Sequence, residues 1–357
     1  MRILIWIAAI FAAFSLLACG QHRFAYQAFP KQDGRMFGLH LLNHETDADL
    51  ELLGSYLPEL ERIGINLLIL EVDYSFNFQS HPELRQGGSP ITKEGARDLA
   101  RKCREHGIRL VPEFQCFGHQ SWEGRTFPLL TQYPQFDLTP GAFPGNNGLY
   151  CREWNPLDPG LKKIVFELMD EIIDAFSADA FHVGMDEVFL ITNQYAAATR
   201  KMSPAVVFAN AVKDYHDHLT GKRGVEMMMW GDRLIDGFKY PQYGEWEGSR
   251  NGTAAAVDLI PKDIIICDWH YEKMDGYPSI PMFLEKGFRV LPSSWRDVPA
   301  SQALIQYGMI QGNTNLLGHL FTTWSGKING LIYYPPMVEG MNYFYKNRGR
   351  DQKTAGK

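Results

Sequence analysis

Two adjacent carboxylates, Asp186 and Glu187, are the side chains best suited to chemistry in this sequence. They follow the apolar run 181–185, which predicts a buried strand that delivers both of them to one edge of a sheet. Adjacent carboxylates repel each other, so the pKa of one rises unless each finds a different partner. A carboxylic acid that holds its proton near neutral pH can act as a general acid while its neighbour stays ionised. Cleavage of a glycosidic bond needs this division, so the pair points to acid–base chemistry on a sugar.

Polar and aromatic side chains also follow almost every other apolar run of the chain. In chain order they are His40, Asn43 and His44; Glu71, Asp73 and Tyr74; Glu113, Gln115 and His119; His182 before the acidic pair; Trp230, Asp232 and Arg233; Asp268, Trp269, His270 and Tyr271; Trp295 and Arg296; and Trp324. The opposite ends of these runs hold mostly Gly, Ile, Ala and Phe. This asymmetry is typical of a catalytic face, although any one of these residues alone is equally well explained by a structural hydrogen bond.

The runs that position these residues read as buried strands, and amphipathic segments lie between most of them. Strands are predicted at 36–41, 65–72, 108–114, 180–185, 225–230, 264–269, 288–293 and 317–324. Helices are predicted at 47–63, 92–106, 161–176 and 204–219, with weaker ones at 279–286, 299–308 and 330–345. In the first helix, leucines recur every three or four residues, Thr46 or Asp47 caps the start and Gly64 marks the end.

Eight buried strands that alternate with helices predict an α/β fold, a single (β/α)8 TIM barrel over residues 36–345. The alternative is a doubly wound sheet, which usually has fewer strands and a glycine-rich turn after the first. No G-x-G-x-x-G follows any of the runs, so the closed barrel is favoured. The stretch 115–159 is expected to form an elaborated loop above the third strand.

Composition narrows the function without deciding it. The chain has 357 residues, a length that fits two domains or one large barrel. Hydrophobic residues make up 45% and charged residues 21%, as in globular proteins. The net charge of −6 gives no electrostatic reason to expect nucleic acid as a partner. The 13% of aromatic residues suits stacking on sugar rings, and would serve a large core equally well.

The amino terminus reads as an export signal rather than as part of the fold. Residues 1–18 have a basic start and an apolar run, and the L-x-A-C ending resembles a bacterial lipobox, which implies cleavage before Cys19 and a lipid on its sulfur. We therefore expect an exported bacterial lipoprotein, anchored to a membrane facing the periplasm or the cell surface. Residues 19–35 would then be a tether and 346–357 a polar tail. The alternative is an uncleaved single-span anchor, for which the apolar run is slightly short.

Four further cysteines, Cys103, Cys116, Cys151 and Cys267, have no spacing that suits structural zinc. A disulfide between Cys116 and Cys151 is conceivable in an exported protein, but four buried thiols are the simpler interpretation.

The segment His182-Val183-Gly184-Met185-Asp186-Glu187 resembles the H-x-G-x-D-E signature of glycoside hydrolase family 20, the β-N-acetylhexosaminidases. Residues 107–113 and the Gly118-His119 pair resemble the third-strand block of that family. The segments 68–71, 117–119, 186–189 and 229–232, with Trp324-Ser325, resemble its hexosaminidase D-like branch most closely. The similarity runs from the first predicted strand to the eighth.

The resemblance implies exo-acting, substrate-assisted hydrolysis of terminal β-linked N-acetylglucosamine or N-acetylgalactosamine with retention of configuration. Glu187 would be the acid and base, and Asp186 would orient the substrate's 2-acetamido group, whose oxygen attacks the anomeric carbon. Tyr271 would donate to that oxygen, and tryptophans would wall the methyl pocket. The expected substrate-binding residues are His119, His182, Glu71, Trp230, Asp232, Trp269, Tyr271, Trp295 and Trp324. The partner would be a glycan or glycoconjugate with a terminal N-acetylhexosamine, with no cofactor and no metal; the oligomeric state is left open.

Departures from the family pattern keep rival interpretations open. Glu71-Val72-Asp73-Tyr74 stands where many members have a histidine and paired aspartates. The arginine that binds sugar hydroxyls in many members has no match, because Arg35 lies at the wrong end of its strand and only His40 offers a substitute. The extra domain that often precedes the barrel is also missing from the pattern.

The rivals are a metal-dependent barrel hydrolase, a lipid-anchored glycan-binding protein on a degenerate barrel, and a glycosidase whose own carboxylate is the nucleophile. The metal-dependent enzymes usually have two histidines one residue apart after the first strand, whereas His40 and His44 are four apart. The glycan-binding protein would be favoured by loss of either residue of the acidic pair. The enzyme nucleophile would be Glu71 or Glu113.

Overall fold

The computed structural model describes residues 34–324 and 330–347. Parallel strands close into an eight-stranded barrel in which chain order and spatial order agree, and the last strand pairs with the first. The strands are β1 Met36–Leu41, β2 Leu67–Glu71, β3 Arg109–Cys116, β4 Ala180–Gly184, β5 Glu226–Trp230, β6 Ile265–Trp269, β7 Arg289–Ser294 and β8 Gly318–Thr322. The predicted (β/α)8 barrel is therefore confirmed.

Helices connect most of the strands on the outside of the barrel. They are α1 Asp47–Ile63, α2 Lys93–Glu105, α3 Pro159–Phe176, α4 Pro204–His216, α5 Ser279–Glu285, α6 Val298–Gln311 and α7 Pro335–Asn347. Thr46 caps α1 in a reciprocal box with Asp49, and Gly64 ends it with φ 101°. The leucines of the predicted stripe, Leu50, Leu53, Leu57 and Leu60, are all buried against the barrel.

The predicted element ends differ from the observed ones where local geometry changes. The chain after α4 continues as a wider π-type turn, Asp217–Lys222, so the helix predicted to Leu219 ends at His216. The last helix starts at Pro335 rather than at Gly330, because a separate 3-10 turn, Leu331–Tyr333, precedes it. These shifts lie outside the strand ends that carry the candidate site.

Strand β3 extends two residues beyond its predicted end. Its pairing with β4 shifts register between Glu113 and Cys116, which is the signature of a bulge. A bulge at a strand end re-aims the side chains around it, and this one sets the direction of Gln115. The extension matters because Gln115 reaches the acidic pair, as described below.

The elaborated loop predicted after β3 is present and has structure of its own. It contains a hairpin, Ser121–Trp122 with Arg125–Thr126, and a short helix, Pro128–Gln132. Arg152 ties the loop together: its Nε donates to Asn146 Oδ1 at 2.6 Å and its guanidinium pairs with Asp137. Its Nη2 also donates to the Phe143 carbonyl at 2.7 Å. These contacts give the loop a defined structure beside the carboxyl ends of the strands.

All four cysteines of the described barrel are free and buried, as the simpler interpretation predicted. The proposed signal 1–18, Cys19, most of the tether and most of the polar tail lie outside the described residues. Within residues 34–324 and 330–347, no helix has the length and apolar character needed to cross a bilayer.

Candidate active site

A charged cluster fills the centre of the barrel below the carboxyl face. His40 Nε2 donates to Glu113 Oε2 at 2.6 Å, and His182 Nδ1 lies 3.0 Å from Glu113 Oε1. All three side chains are buried. Burial by itself would raise the pKa of Glu113, but His182 and His40 outweigh it and hold that pKa well below its ordinary value. Glu113 is therefore an ionised carboxylate shared by two histidines.

Two tryptophans cover this cluster. Trp230 Nε1 donates to Glu113 Oε1 at 3.2 Å, and its ring lies 4.6 Å from that of His182. Trp324 packs against Trp230 at 4.9 Å between ring centroids. Trp230 is fully buried whereas Trp324 is partly open, so in this arrangement Trp230 supports the site and Trp324 borders it.

The acidic pair leaves β4 in an unusual backbone conformation. Gly184, Met185 and Glu187 all have positive φ, at 63°, 69° and 50°. A side chain on Gly184 would place its Cβ only 1.7 Å from Gln115 Oε1, so glycine is required there. The space it leaves lets Gln115 Nε2 donate to Asp186 Oδ1 at 2.6 Å. The turn therefore sends Asp186 towards β3.

His119 faces both carboxylates of the pair. Its Nε2 lies 3.3 Å from Asp186 Oδ2 and 3.2 Å from Glu187 Oε2, and its Nδ1 lies 3.4 Å from Cys151 Sγ. Burial lowers the pKa of His119, but Asp186 and Glu187 outweigh it and raise that pKa well above the ordinary value. The pKa of Asp186 is lowered despite burial, because His119 and Gln115 stabilise its charge.

Asp232, just after β5, fixes the backbone of the pair from the other side. Its Oδ2 accepts from the Glu187 N–H at 2.9 Å and from Arg233 Nε at 2.6 Å. Trp269 Nε1 donates to Asp232 Oδ1 at 3.3 Å. Burial raises the pKa of Asp232 to about 6, although Arg233 opposes that rise. Asp232 thus links β5 and β6 to the position of Glu187.

An aromatic wall follows β6 and β7. Tyr271 stacks on Trp269 at 4.7 Å and contacts Trp295 at 5.2 Å between ring centroids. Burial, then the charges of Glu187 and Asp186, raise the pKa of Tyr271 well above its ordinary value, so its hydroxyl is a protonated donor close to the pair. In the described part of the chain, neither Trp295 Nε1 nor Trp324 Nε1 has a hydrogen-bond partner. Both indoles are available to donate to a ligand.

A buried network holds this wall in place. Glu247 Oε1 accepts from the Tyr271 N–H at 3.3 Å, and its Oε2 lies 2.7 Å from His270 Nδ1. Burial lowers the pKa of His270, but Asp268 and Glu247 outweigh it and raise that pKa to about 9. The ionised histidine keeps Glu247, and through it Tyr271, in position.

Two acidic residues lie at the end of β2. Burial, Asp73 and Glu113 raise the pKa of Glu71 well above its ordinary value. Burial also raises the pKa of Asp73 to about 7, although the Gln115 N–H, which donates to Asp73 Oδ1 at 2.7 Å, opposes the rise. Glu71 therefore stands protonated near the cluster of Glu113, where it can donate to a ligand hydroxyl.

The predicted site residues divide into three groups in space. Asp186, Glu187, His119 and Asp232 form one connected network, and Trp269, Tyr271 and Trp295 form the adjoining wall. His182 and Trp230 lie beneath, fully buried around Glu113, with Glu71 near Glu113 and the partly open Trp324 against Trp230. Sequence reasoning missed the loop residues Trp122, Tyr150, Glu153, Trp246 and Glu247. Only the fold of the loops brings them to the site, and tryptophans within predicted loops were the one signal that the sequence offered.

Two groups of side chains have the ligand types and spacing to hold a cation. They are His40, Glu71 and Glu113, and His119, Asp186 and Glu187, with ligand atoms within 4.8 Å of one another in each group. In both, a histidine ring nitrogen already contacts a carboxylate oxygen, at 2.6 Å in the first group and at 3.2 and 3.3 Å in the second. That the protein works without a metal stays a prediction.

Residues 49–304, more than two thirds of the chain, match the family described as "Glycosyl hydrolase family 20, catalytic domain". A Lacto-N-biosidase of Bifidobacterium bifidum is 21% identical over 216 residues, which are 56% of this chain and 18% of that protein. A Beta-hexosaminidase of Vibrio furnissii is 23% identical over 222 residues, 61% of this chain and 32% of that protein. The chain spans about a third or less of the length of these two relatives.

Solved structures share the barrel. The chitobiase of Flavobacterium johnsoniae superposes with a TM-score of 0.62 at 19% identity, over 87% of this chain and 47% of that one. Dispersin B superposes with a TM-score of 0.55 at 16% identity, over 87% of this chain and 98% of that one. At these identities the similarity concerns the fold alone.

Proposed function

Because this chain belongs to glycosyl hydrolase family 20, we propose that it is an exo-acting β-N-acetylhexosaminidase, which removes terminal β-linked N-acetylglucosamine or N-acetylgalactosamine from glycans. The observation that carries the proposal is that the two adjacent carboxylates have different partners and different exposure. Gln115 and His119 hold both oxygens of Asp186, which favours its ionised form. Glu187 is more open, and its partners are His119, at 3.2 Å from its Oε2, and the Tyr150 hydroxyl.

In the proposed reaction, Glu187 protonates the departing glycosidic oxygen and later accepts a proton from the incoming water. The substrate's own acetamido oxygen attacks the anomeric carbon, so no enzyme nucleophile is required. An attacking group already joined to the substrate has a high effective concentration when it is held in the right pose. The proton that Glu187 gives in the first step leaves on the departing sugar's oxygen. In the second step a proton from the incoming water replaces it on Glu187, while the water oxygen bonds to the anomeric carbon and the bond from that carbon to the acetamido oxygen breaks.

Asp186 and Tyr271 would hold that pose. An ionised Asp186 accepts the acetamido N–H and stabilises the positive charge that develops on the oxazolinium ring. The protonated Tyr271 hydroxyl donates to the acetamido oxygen, and Trp269 and Trp295 beside it enclose the methyl group. The partly open Trp324 would contact the sugar from β8. The hexosaminidase D-like branch remains a prediction.

Substitution of the pair tests this division of roles. Asp186→Asn should lower kcat on a nitrophenyl β-N-acetylglucosaminide by about 10²–10³-fold, because a charge that stabilises the transition state is lost. Glu187→Gln should lower kcat by about 10²–10⁴-fold on a disaccharide, and by less on the nitrophenyl substrate, whose leaving group needs little protonation. Asp217→Asn, at a side chain that is 79% exposed, is the matched control. Full activity in both site variants would refute the mechanism and favour a different use of the barrel.

The rival with an enzyme nucleophile has a specific weakness at Glu113. Its oxygens are engaged by His40, His182 and Trp230, so it is not free to attack. A thiazoline mimic of the oxazolinium ring should inhibit competitively if the substrate assists. A covalent glycosyl-enzyme trapped by a 2-fluoro sugar would instead favour Glu71 as nucleophile. Activity that survives dialysis against EDTA would dismiss the metal-dependent rival.

We also propose that the protein is an exported, lipid-anchored enzyme whose partner is a glycan outside the cytoplasm. The support is the lipobox-like L-x-A-C sequence that ends at Cys19. The wild type should partition into the detergent phase of a Triton X-114 extract, and Cys19→Ser should move it to the aqueous phase. Retention of the uncut chain in the membrane by Cys19→Ser would favour the single-span anchor.

A further inference from the structure

Exposed aromatic side chains gather in one place beside Glu187. We define the aromatic rim as Trp122, Tyr150, Phe189 and Trp246. Seven tryptophans lie in the described residues, and the two exposed ones, Trp122 at 53% and Trp246 at 45%, both belong to this rim. Tyr150 lies between them and is 37% exposed. Exposed aromatic rings that contact one another in a patch are typical of a binding surface, whereas exposed apolar side chains that stand singly are ordinary exterior.

The rings of the rim are continuous with one another. Tyr150 lies 5.9 Å from Trp122, 5.9 Å from Phe189 and 5.0 Å from Trp246 between ring centroids. Phe189 and Trp246 are 5.3 Å apart. The contacts are edge-to-face, and each of them covers a face of only one of its two rings.

The rim is rigidly built from three different loops. Ser121 Oγ accepts from the Arg152 N–H at 2.9 Å, which fastens the hairpin of Trp122 to the segment of Tyr150. Glu153 Oε1 accepts from the backbone N–H of Phe189 at 2.5 Å.

The buried Arg233 supports two members of the rim. It donates to the Trp246 carbonyl at 2.7 Å, and its guanidinium lies 4.7 Å from the Phe189 ring centroid. A preformed aromatic surface loses little conformational entropy on binding.

The position of the aromatic rim relative to Asp186 and Glu187 indicates which part of a substrate the rim would bind. The Tyr150 hydroxyl hydrogen-bonds to Glu187, and burial, with the Glu187 charge and this bond, raises the pKa of the phenol. The Tyr150 ring also lies 5.8 Å from that of His119. In the proposed reaction Glu187 faces the departing oxygen, whereas the wall of Tyr271 faces the acetamido group. The rim therefore borders the departing side of the bond.

We propose that the aromatic rim is a subsite for the sugar that leaves, so that the preferred substrate is a glycan with an uncharged second sugar. This inference rests on the proposed function. The apolar C–H faces of a sugar ring stack on aromatic rings, and none of the four rim side chains carries a charge that would require an ionic leaving group. An indole that covers roughly 50 Å² of such a face contributes about tenfold in affinity.

The test compares two substrates that differ only in what occupies the rim. One is a β-linked disaccharide of N-acetylglucosamine, and the other is methyl β-N-acetylglucosaminide; released N-acetylglucosamine is measured for both. Trp122→Ala and Trp246→Ala should each lower the ratio of kcat/KM for disaccharide over methyl glycoside by about tenfold. Trp246→Phe should recover most of the ratio. Competitive binding of a thiazoline, which reports on the terminal-sugar position, checks that each variant is folded.

Phe238→Ala is the matched control, because Phe238 lies in the same loop as Trp246, is 73% exposed and packs under Arg250. It should leave the ratio unchanged. If the wild type hydrolyses both substrates and the tryptophan variants keep its ratio, the rim proposal is overturned and the proposed function stands. If the wild type hydrolyses neither, both proposals fall together. A wild-type dimer that Trp246→Ala dissociates without moving the ratio would assign the rim to self-association and overturn the subsite.

Discussion

Replacement of His119 by asparagine should move the acid limb of the activity profile to higher pH. The His119 ring nitrogen lies 3.3 Å from Asp186 Oδ2 and 3.2 Å from Glu187 Oε2. The residue has φ 53°, a left-handed conformation that asparagine tolerates better than most residues do. The variant therefore removes one charge from the site with little backbone strain.

The size of the effect follows from the distance. Two unit charges 3.3 Å apart attract by about 5 kcal/mol at an effective dielectric constant of ~20. This is an upper bound, because Gln115 still donates to Asp186 in the variant. Screening by water is weak, since the Asp186 side chain is only 9% exposed. The pKa of Asp186, which is lowered in the wild type, should rise by about 1 to 3 units.

The sign of the shift follows from the role of Asp186. In the proposed mechanism the ionised form of Asp186 accepts the acetamido N–H, so activity should be lost as pH falls through the pKa of Asp186. A higher pKa makes that loss begin at higher pH. Profiles of kcat/KM on the nitrophenyl substrate from about pH 3 to 8 report the pKa values of the free enzyme. His106→Asn, which removes a surface histidine 2.9 Å from Glu61, should leave the limb in place. An acid limb that stays at the same pH, or moves to lower pH, in His119→Asn would refute the reasoning.

Three further predictions concern the support of the site. Glu113→Gln should lower the free energy of unfolding by about 3–5 kcal/mol at pH 7, because it removes the buried carboxylate on which His40, His182 and Trp230 converge. Glu71→Gln should cost much less, since the raised pKa already keeps that carboxyl neutral; equal losses in urea titrations would contradict this. Gly184→Ala should abolish activity and destabilise strongly, whereas Gly141→Ala, at φ 75° with open space around it, should cost only about 1–2 kcal/mol of backbone strain in thermal melts. Because the pKa of His270 is raised to about 9, its stabilisation is complete below the unfolded pKa of ~6.5 and disappears as pH rises through 9. The Tm of the wild type should fall more steeply across that window than the Tm of His270→Gln, and parallel slopes would show that His270 is not the cause.

Much of the fold could be predicted because each barrel strand is buried on both faces. A strand such as Leu67–Glu71 is then a short apolar run, and that signal is local. Element ends were less predictable where geometry depends on a neighbour. The extension of β3 to Cys116 requires the bulge opposite β4, which no pattern within β3 itself reports.

The candidate site was predictable to the extent that its residues adjoin strands. Asp186 and Glu187 follow β4 directly, so the strand pattern places them. Glu153 and Trp246 lie far from any strand end, and their positions depend on contacts made across the fold. Glu153 Oε1 accepts a hydrogen bond from the backbone N–H of Phe189, which is 36 residues away in the sequence. Long loops have no periodic pattern of apolar residues. The sequence alone therefore indicated that a loop was present, but not which side chains the loop brings to the site.

The distribution of partners explains how adjacent carboxylates can take different roles. Repulsion within the pair would raise the pKa of one member, unless the two find separate partners. Gln115 and His119 each engage one oxygen of Asp186, whereas Glu187 meets His119 and the Tyr150 hydroxyl on the departing side. His119 and Gln115 thus stabilise the ionised form of Asp186, as its proposed role requires. The same arrangement ties chemistry to recognition, because the residue that would donate the proton also touches the rim that would bind the leaving sugar.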